Sequence, residues 1–327
     1  MIKTVSVAPM MDCTDKHEIY FLSLISKNIH FYTEMIVANA IIRGDRNKLL
    51  SFKKISNPVT LQVGGSNSNE LAEACKISED YGYKEINLNL GCPSKKVQKN
   101  KFGACLMQEP NLVAKCIEAM AKSTKLPITI KTRIGYNEVE NFEFLKSFIQ
   151  TTKDAGSQKF VIHARKALLK KLSPKENLNI PPLNYDFVYK LKNEFKENEI
   201  IINGGINQTS EILNHLKLVD GAMIGRAIYH SPYFLADIEK EIFKNENVPS
   251  RAEVMENLIP YIQKQTSKGV QLNHIMRHTI GLFHGQNGSK AWKQYLSKNM
   301  CIRNAELQKV NHIMDHIKNN NSISLER

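Results

Sequence analysis

The sequence predicts an α/β chain: a TIM (β/α)8 barrel followed by a small C-terminal helical domain. Three observations predict it. Eight short β-rich runs alternate strictly with helix-like segments, which implies a parallel sheet. These eight units fit within residues 1–245, close to the ~250 residues of a typical barrel. The residues after Val7 read Ala8-Pro9-Met10-Met11-Asp12. They lack the glycine-rich turn that an open doubly wound sheet places after its first strand.

In chain order, the expected strands are 5–9, 31–35, 59–63, 85–90, 127–131, 159–163, 200–203 and 219–224. Between them, apolar residues at helical spacing predict helices over 15–26, 69–81, 111–123, 140–154, 185–195 and 208–216. Asp15 and Asn69 are the expected N-caps of the first two. After residue 245 the alternation stops. Segments 255–265, 273–282, 289–298 and 305–317 read as helices, so residues 246–327 form the expected second domain.

The chain has 327 residues, is 42% hydrophobic and 24% charged, and carries a formal net charge of +13. Such a balance favours polyanionic partners. Residues 248–327 contribute eleven Lys/Arg against five Asp/Glu, and five of the ten histidines. That is the footprint of a basic helical face. Six cysteines are present, at 13, 75, 92, 105, 116 and 301. None forms a CxxC pair and no Cys/His cluster has zinc spacing, so no metal is expected. The start, MIKTVSVAPMMD, has no apolar signal core, and no run reaches the ~18 apolar residues that span a bilayer. The expectation is a cytoplasmic monomer with reduced thiols and no membrane association.

The most informative stretch is 86–101, INLNLGCPSKKVQKNK. Its alternation Ile86-Asn87-Leu88-Asn89-Leu90 reads as a buried strand. Gly91 and Pro93 end it in a loop that carries Cys92 and then Lys95, Lys96, Lys99 and Lys101. A polar amide and a thiol thus meet at a strand end, beside a basic flap.

Catalytic residues of barrels come from the C-terminal ends of several strands. Those ends carry Pro9, Met10 and Met11; Thr33, Glu34 and Met35; Gln62; Asn89 and Cys92; Lys131 and Arg133; His163 and Arg165; Asn203, Gly204 and Gly205; and Gly225 with Arg226. A purely structural barrel has no need of so many polar ends. The Asn-Gly-Gly and Gly-Arg pairs follow the last two strands, where barrels commonly bind phosphate. Glycines let backbone N–H groups approach an anion, and Arg226 can grip phosphate bidentately. Lys131 can stabilise negative charge on a heteroaromatic ring, and Gln62 can both donate and accept at a flavin or pyrimidine edge. No carboxylate pair or Ser/His/Asp order is visible, which disfavours hydrolysis. A phosphate-bearing redox cofactor is favoured, and FMN fits.

The stretches APMMDCTDKH, YTEM, LQVGG, INLNLGCPSKKVQKNKFGACLM, IKTRIG, HARKALLKKLSPKEN, IPPLNYD, INGGI and GAMIGRA resemble the tRNA-dihydrouridine synthases over about residues 5–320. HARKA, LSPKEN and IPPL resemble the A subfamily, associated with U20 and U20a. The resemblance implies an FMN-dependent barrel with a C-terminal helical tRNA-binding domain, reducing the C5–C6 bond of uridine in the tRNA D-loop with NADPH (or NADH). It implies FMN contacts from Pro9, Met10, Met11, Gln62, Lys131, His163, Asn203, Gly204, Gly205, Gly225 and Arg226. It implies Cys92 as proton donor to C5, Asn89 and Arg133 at the uridine pocket, and Lys175, Lys290 and Lys293 at tRNA. Two positions depart from the family. Cys13 stands where a larger side chain is usual, and Leu178 stands where Arg normally follows SPKEN. Two rivals are an FMN barrel acting on a free pyrimidine and a flavin-free tRNA-binding protein on a decayed barrel. The basic helical domain argues against the first and the full set of strand ends against the second.

Overall fold

A computed structural model describes residues 3–170 and 172–299. The predicted helix 305–317 and Cys301 lie outside those residues. Among these residues nine strands are formed: β1 (Thr4–Val7), β2 (His30–Tyr32), β3 (Ile36–Val37), β4 (Val59–Gly64), β5 (Glu85–Leu90), β6 (Ile128–Arg133), β7 (Lys159–His163), β8 (Glu199–Asn203) and β9 (Gly221–Ile224). They pair in the order β2-β1-β9-β8-β7-β6-β5-β4-β3, and β2 also pairs with β4. That last pairing closes eight parallel strands into a barrel, with the two-residue β3 riding on the end of β4.

All eight expected runs are strands. The second is shorter than the expected 31–35, because Thr33 breaks its ladder. The Thr33 hydroxyl, rather than a main-chain carbonyl, accepts from Gln62 N at 3.0 Å. The cap of the second expected helix also shifts. Asn67, not Asn69, accepts from the first backbone N–H groups of the Ser68–Ser78 helix. The basic flap is partly helical: Ser94 caps a short Lys95–Lys99 helix, and its four lysines are exposed.

Bonds that skip a strand identify the barrel interior. Lys159 on β7 reaches Glu85 on β5 at 3.2 Å, and Lys131 on β6 reaches Asn203 on β8 at 3.0 Å. Glu85, Asn87 and Asn89 therefore line the inside, while Ile86, Leu88 and Leu90 pack outward, all fully buried. At the barrel floor, strand-starting residues form one polar plug. Glu85 accepts from Tyr32 Oη (2.9 Å) and Thr60 Oγ1 (2.8 Å), and Thr60 bonds His30 Nε2 (2.7 Å). Thr4 donates to Glu199 at 3.1 Å, which lies 3.6 Å from Lys159. Burial pushes the Glu85 carboxyl up, but Lys159, His30 and the two hydroxyls outweigh it and hold it low.

The chain divides into two compact units. The barrel unit comprises Met1–Asp12, His30–Lys54 and Pro58–Gly225, and the helical unit comprises Cys13–Ile29, Ile55–Asn57 and Arg226–Arg327. This grouping differs from a single division at 245/246. It begins the helical unit at Arg226 and adds the first helix, Lys16–Ile25. Side chains show why. Asp15 caps that helix and binds Arg277 at 2.7 Å, and Tyr20 stacks on Tyr261 with centroids 4.1 Å apart. Glu239 accepts from Lys27 N and Asn28 N, each at 3.0 Å. Trp292 is fully buried, donates to Thr279 O at 3.0 Å and meets Phe283 edge-on. It is a core residue of this unit.

The floor plug yields a stability prediction. Lys159→Met leaves the buried Glu85 carboxylate without its cation and should cost about 3–5 kcal/mol. Urea unfolding at neutral pH measures it; a loss below about 1 kcal/mol would show that the plug is not held by charge pairing.

Candidate active site

The mouth of the barrel is formed by the C-terminal strand ends, and amides organise it. Gln62 donates from Nε2 to Asn87 Oδ1 (2.9 Å) and accepts at Oε1 from Asn89 Nδ2 (2.8 Å). Asn87 passes the chain to Thr129 Oγ1 (2.9 Å). Asn89 Oδ1 then accepts from both Gly91 N (3.2 Å) and Cys92 N (3.0 Å). Asn89 is only 8% exposed, so its observed bonds hold the thiol loop from inside the barrel. The carbonyl of Cys92 accepts from Ala104 N at 2.9 Å. Gly103 makes that approach possible. It has φ +76°, and a Cβ there would stand 2.5 Å from Val97 and 2.6 Å from the Cys92 carbonyl. The pattern of strand ends gave no sign of Gly103; only its place in a tight turn beneath the thiol explains it.

Cys92 is half-buried. Two cations stand beside it, and neither belongs to the exposed lysine flap. Lys131 is brought down to about 7 by burial, with Arg133 adding and the Cys92 sulfur opposing. Arg133 is brought down to about 10 by burial, with Cys92 opposing and Arg165 adding. Arg133 is 2% exposed, and its guanidinium bonds three backbone carbonyls, those of Gly91 (2.8 Å), Lys166 (3.1 Å) and Asn177 (3.1 Å).

Across the mouth, Lys131 Nζ donates to Asn203 Oδ1, whose own amide donates to Met223 O at 2.8 Å. His163 is buried between Arg133 and Asn203 in the strand register. Gly204 and Gly205 adopt φ of +119° and +74°. A Cβ on Gly205 would lie 2.5 Å from Leu183 and 2.9 Å from the Tyr185 hydroxyl, so no other residue fits. Their carbonyls are fixed by Tyr185 Oη (2.7 Å to Gly204) and Asn207 Nδ2 (2.7 Å to Gly205). The turn of the amides is thereby set.

The structure thus gathers Gln62, Asn89, Cys92, Lys131, Arg133, His163, Asn203, Gly204 and Gly205 at one end of the barrel. Met10 packs on the interior cluster of Ala8, Tyr32, Val161, Ile201 and Met223, while Met11 is 51% exposed. Gly225 lies 3.5 Å, by its would-be Cβ, from Ala8. Arg226 opens the Arg226–His230 helix of the other unit. Lys290 and Lys293 are exposed on the Ser289–Asn299 helix of that unit, whose buried residues include Trp292 and Leu296. Lys175 is exposed on the loop after β7. Among the described residues, no group of three or more His, Cys, Asp or Glu could hold a metal ion, and no helix is long and apolar enough to cross a membrane.

Comparison with known proteins gives a consistent set of relatives. The sequence model described as Dihydrouridine synthase (Dus) matches residues 6–319. A tRNA-dihydrouridine(20/20a) synthase of Synechocystis sp. is 48% identical over 305 residues, covering 93% of this chain and 91% of that protein. Proteins of the same description from Shewanella oneidensis and Vibrio cholerae are 47% and 45% identical, covering 94% and 95% of this chain and 92% and 96% of theirs. A solved morphinone reductase in complex with tetrahydroNAD is a remoter likeness, with TM-score 0.48 and 10% identity over 70% of this chain and 84% of that one. It adds nothing to a fold that the closed parallel sheet already defines.

The depressed Lys131 sets a pH dependence. Below about 7 the folded state must hold a buried ammonium; between 7 and the ordinary lysine value only the unfolded state is protonated, so stability rises with pH across that window. Lys131→Met removes the penalty. In the ligand-free protein the variant should be more stable than wild type at pH 6, and the gap should shrink from pH 7 to 9. Chemical denaturation midpoints measure this, and a pH-independent gap would contradict it.

Proposed function

The chain belongs to the dihydrouridine synthase family, and from that premise we propose that it reduces the C5–C6 double bond of uridine to 5,6-dihydrouridine at positions 20 and 20a of the tRNA D-loop, with FMN as cofactor and NADPH as reductant. The observation that carries this reading is the joined polar mouth. Gln62 and Asn89 lead to the Cys92 loop, and Lys131 on β6 reaches across β7 to Asn203 on β8.

The residues present fit a flavin nucleotide. Lys131 offers a positive charge that a reduced ring would stabilise, and Gln62 can both donate and accept at a ring edge. The backbone N–H groups of Gly204 and Gly205, with Gly225 and Arg226, are the proposed phosphate contacts. Pro9, Met10, Met11 and His163 complete the proposed cofactor contacts. FMN, when bound, supplies the hydride that is added at C6, and NADPH is oxidised in restoring it.

The chain's own residues do the rest. Cys92 gives the Sγ proton to C5, and solvent returns it. A thiol suits the task, since an ordinary cysteine is mostly protonated at neutral pH. Asn89 and Arg133 bound the uridine pocket from below by fixing the loop that carries the thiol. The target base must leave the D-loop stack, at a cost of a few kcal/mol. Lys175, Lys290 and Lys293 offset this by meeting tRNA phosphates in the manner that makes such binding salt-dependent. The helical segment after 245 acts as the tRNA-binding domain of a cytoplasmic monomer.

Cys92→Ala tests the acid role. At saturating tRNA, single-turnover reduction should fall by about 100-fold or more, the usual scale for a lost general acid, with tRNA affinity and flavin absorption unchanged. Reduction at a near-normal rate would remove Cys92 from the mechanism.

A further inference from the structure

The residues on either side of the thiol are tied to the same distant segment. The carbonyl of Gly91, just before Cys92, accepts from Arg133 Nε at 2.8 Å. The same guanidinium reaches, through Nη1, the carbonyls of Lys166 and Asn177 at 3.1 Å each. The carbonyl of Pro93, just after Cys92, accepts from Gln98 Nε2 at 2.8 Å. That same nitrogen also donates to Leu169 O at 2.8 Å. Two side chains, one charged and one neutral, thus clasp the thiol loop from both flanks and bind it to Lys166, Leu169 and Asn177, in a segment described over 166–170 and 172–177.

That segment is itself wound around one buried amide. Asn177 is fully buried; its Oδ1 accepts from Leu168 N at 2.7 Å. Its Nδ2 donates to the carbonyls of Leu168 (3.0 Å), Leu172 (3.2 Å) and Ser173 (3.2 Å). Asn137 adds a further hold by accepting from Leu169 N at 2.9 Å. A loop this heavily bonded to side chains is a preorganised body. It also carries Lys175, exposed at its tip.

We infer that Arg133 and Gln98 are positioning residues that couple residues 166–170 and 172–177 to Cys92, so that the part of the chain that meets tRNA through Lys175 also sets where the thiol points. Asn177 is the hub that makes the segment rigid enough to do so. The inference rests on the proposed roles of Cys92 and Lys175. It assigns to Arg133 a task other than touching the base, because the observed bonds of its Nε and Nη1 go to main-chain carbonyls. Coupling of this kind is reciprocal: what disorders the segment loosens the thiol, and what loosens the thiol loop weakens the order of the segment.

Gln98→Met keeps the length and packing of the side chain and deletes both hydrogen bonds. In tRNA-free protein, iodoacetamide labelling of Cys92, followed by peptide mass spectrometry, should accelerate about five- to tenfold, the scale of a lost hydrogen bond, with labelling of the half-buried Cys13 unchanged. At saturating tRNA, single-turnover reduction should slow by a similar factor while the tRNA Kd stays within about twofold, again on the scale of one hydrogen bond. Arg133→Lys should retain more turnover than Arg133→Met, because an ammonium can still reach one of the three carbonyls. Unchanged Cys92 labelling in Gln98→Met, or a defect lying wholly in tRNA affinity, overturns the coupling. Full activity of Cys92→Ala would instead strike the acid role alone, and the labelling result would still decide whether the clasp exists.

Discussion

A polar group enclosed in a barrel must find its partner inside the barrel, and the account of this protein depends on that constraint. Strand β5 places Glu85, Asn87 and Asn89 along one inward line, from floor to mouth. Each is satisfied differently. Glu85 is paired with Lys159 in a plug of strand-starting residues, which serves stability at the face where barrels rarely do chemistry. Asn87 links Gln62 to Thr129. Asn89, at the top, spends its oxygen on the N–H groups of Gly91 and Cys92. A structural requirement thereby becomes a functional one, since satisfying the last amide fixes the thiol.

The same enclosure decides which cations stand beside the thiol. The sequence surrounds Cys92 with lysines, which would be expected to draw off its proton. In the structure those lysines are exposed, and Lys95, Lys96 and Lys99 belong to a short helix. The cations that share the mouth with the sulfur are Lys131 and Arg133, and burial weakens the positive charge of Lys131 near neutral pH. Arg133 keeps its charge, but directs it to the carbonyls of Gly91, Lys166 and Asn177. The thiol and the exposed lysines therefore share one loop, while the cations coupled to the sulfur in the mouth are Lys131 and Arg133.

The barrel was legible in the sequence because its signal is periodic. Strands β4 to β9 alternate with helices at regular spacing, and their ends carry the polar residues of the mouth. Departures from periodicity were not legible. Thr33 interrupts β2 through a side-chain hydroxyl, and Asn67 takes the cap two residues before the expected one. The Lys16–Ile25 helix reads as an ordinary barrel helix, yet Asp15 and Tyr20 fall in the helical unit, where Arg277 and Tyr261 supply their partners. Among the site residues, Asn89 and Arg133 were visible as strand-end polar groups, but their direction was not. Gln98 and Asn177 left no trace, because a side-chain amide bonded to main-chain carbonyls has no spacing rule to betray it. Gly103 and Gly205 are required by neighbours, Val97 and Leu183, that are remote in pattern if not in chain.

Reduction of a uridine presented by tRNA is tested most directly by incubating the purified protein, reconstituted with FMN, with an unmodified tRNA transcript and NADPH, and mapping dihydrouridine by nucleotide. Dihydrouridine is expected at positions 20 and 20a, with free uracil and free uridine left unreduced. Reduction of the free pyrimidines with an untouched tRNA would contradict that expectation.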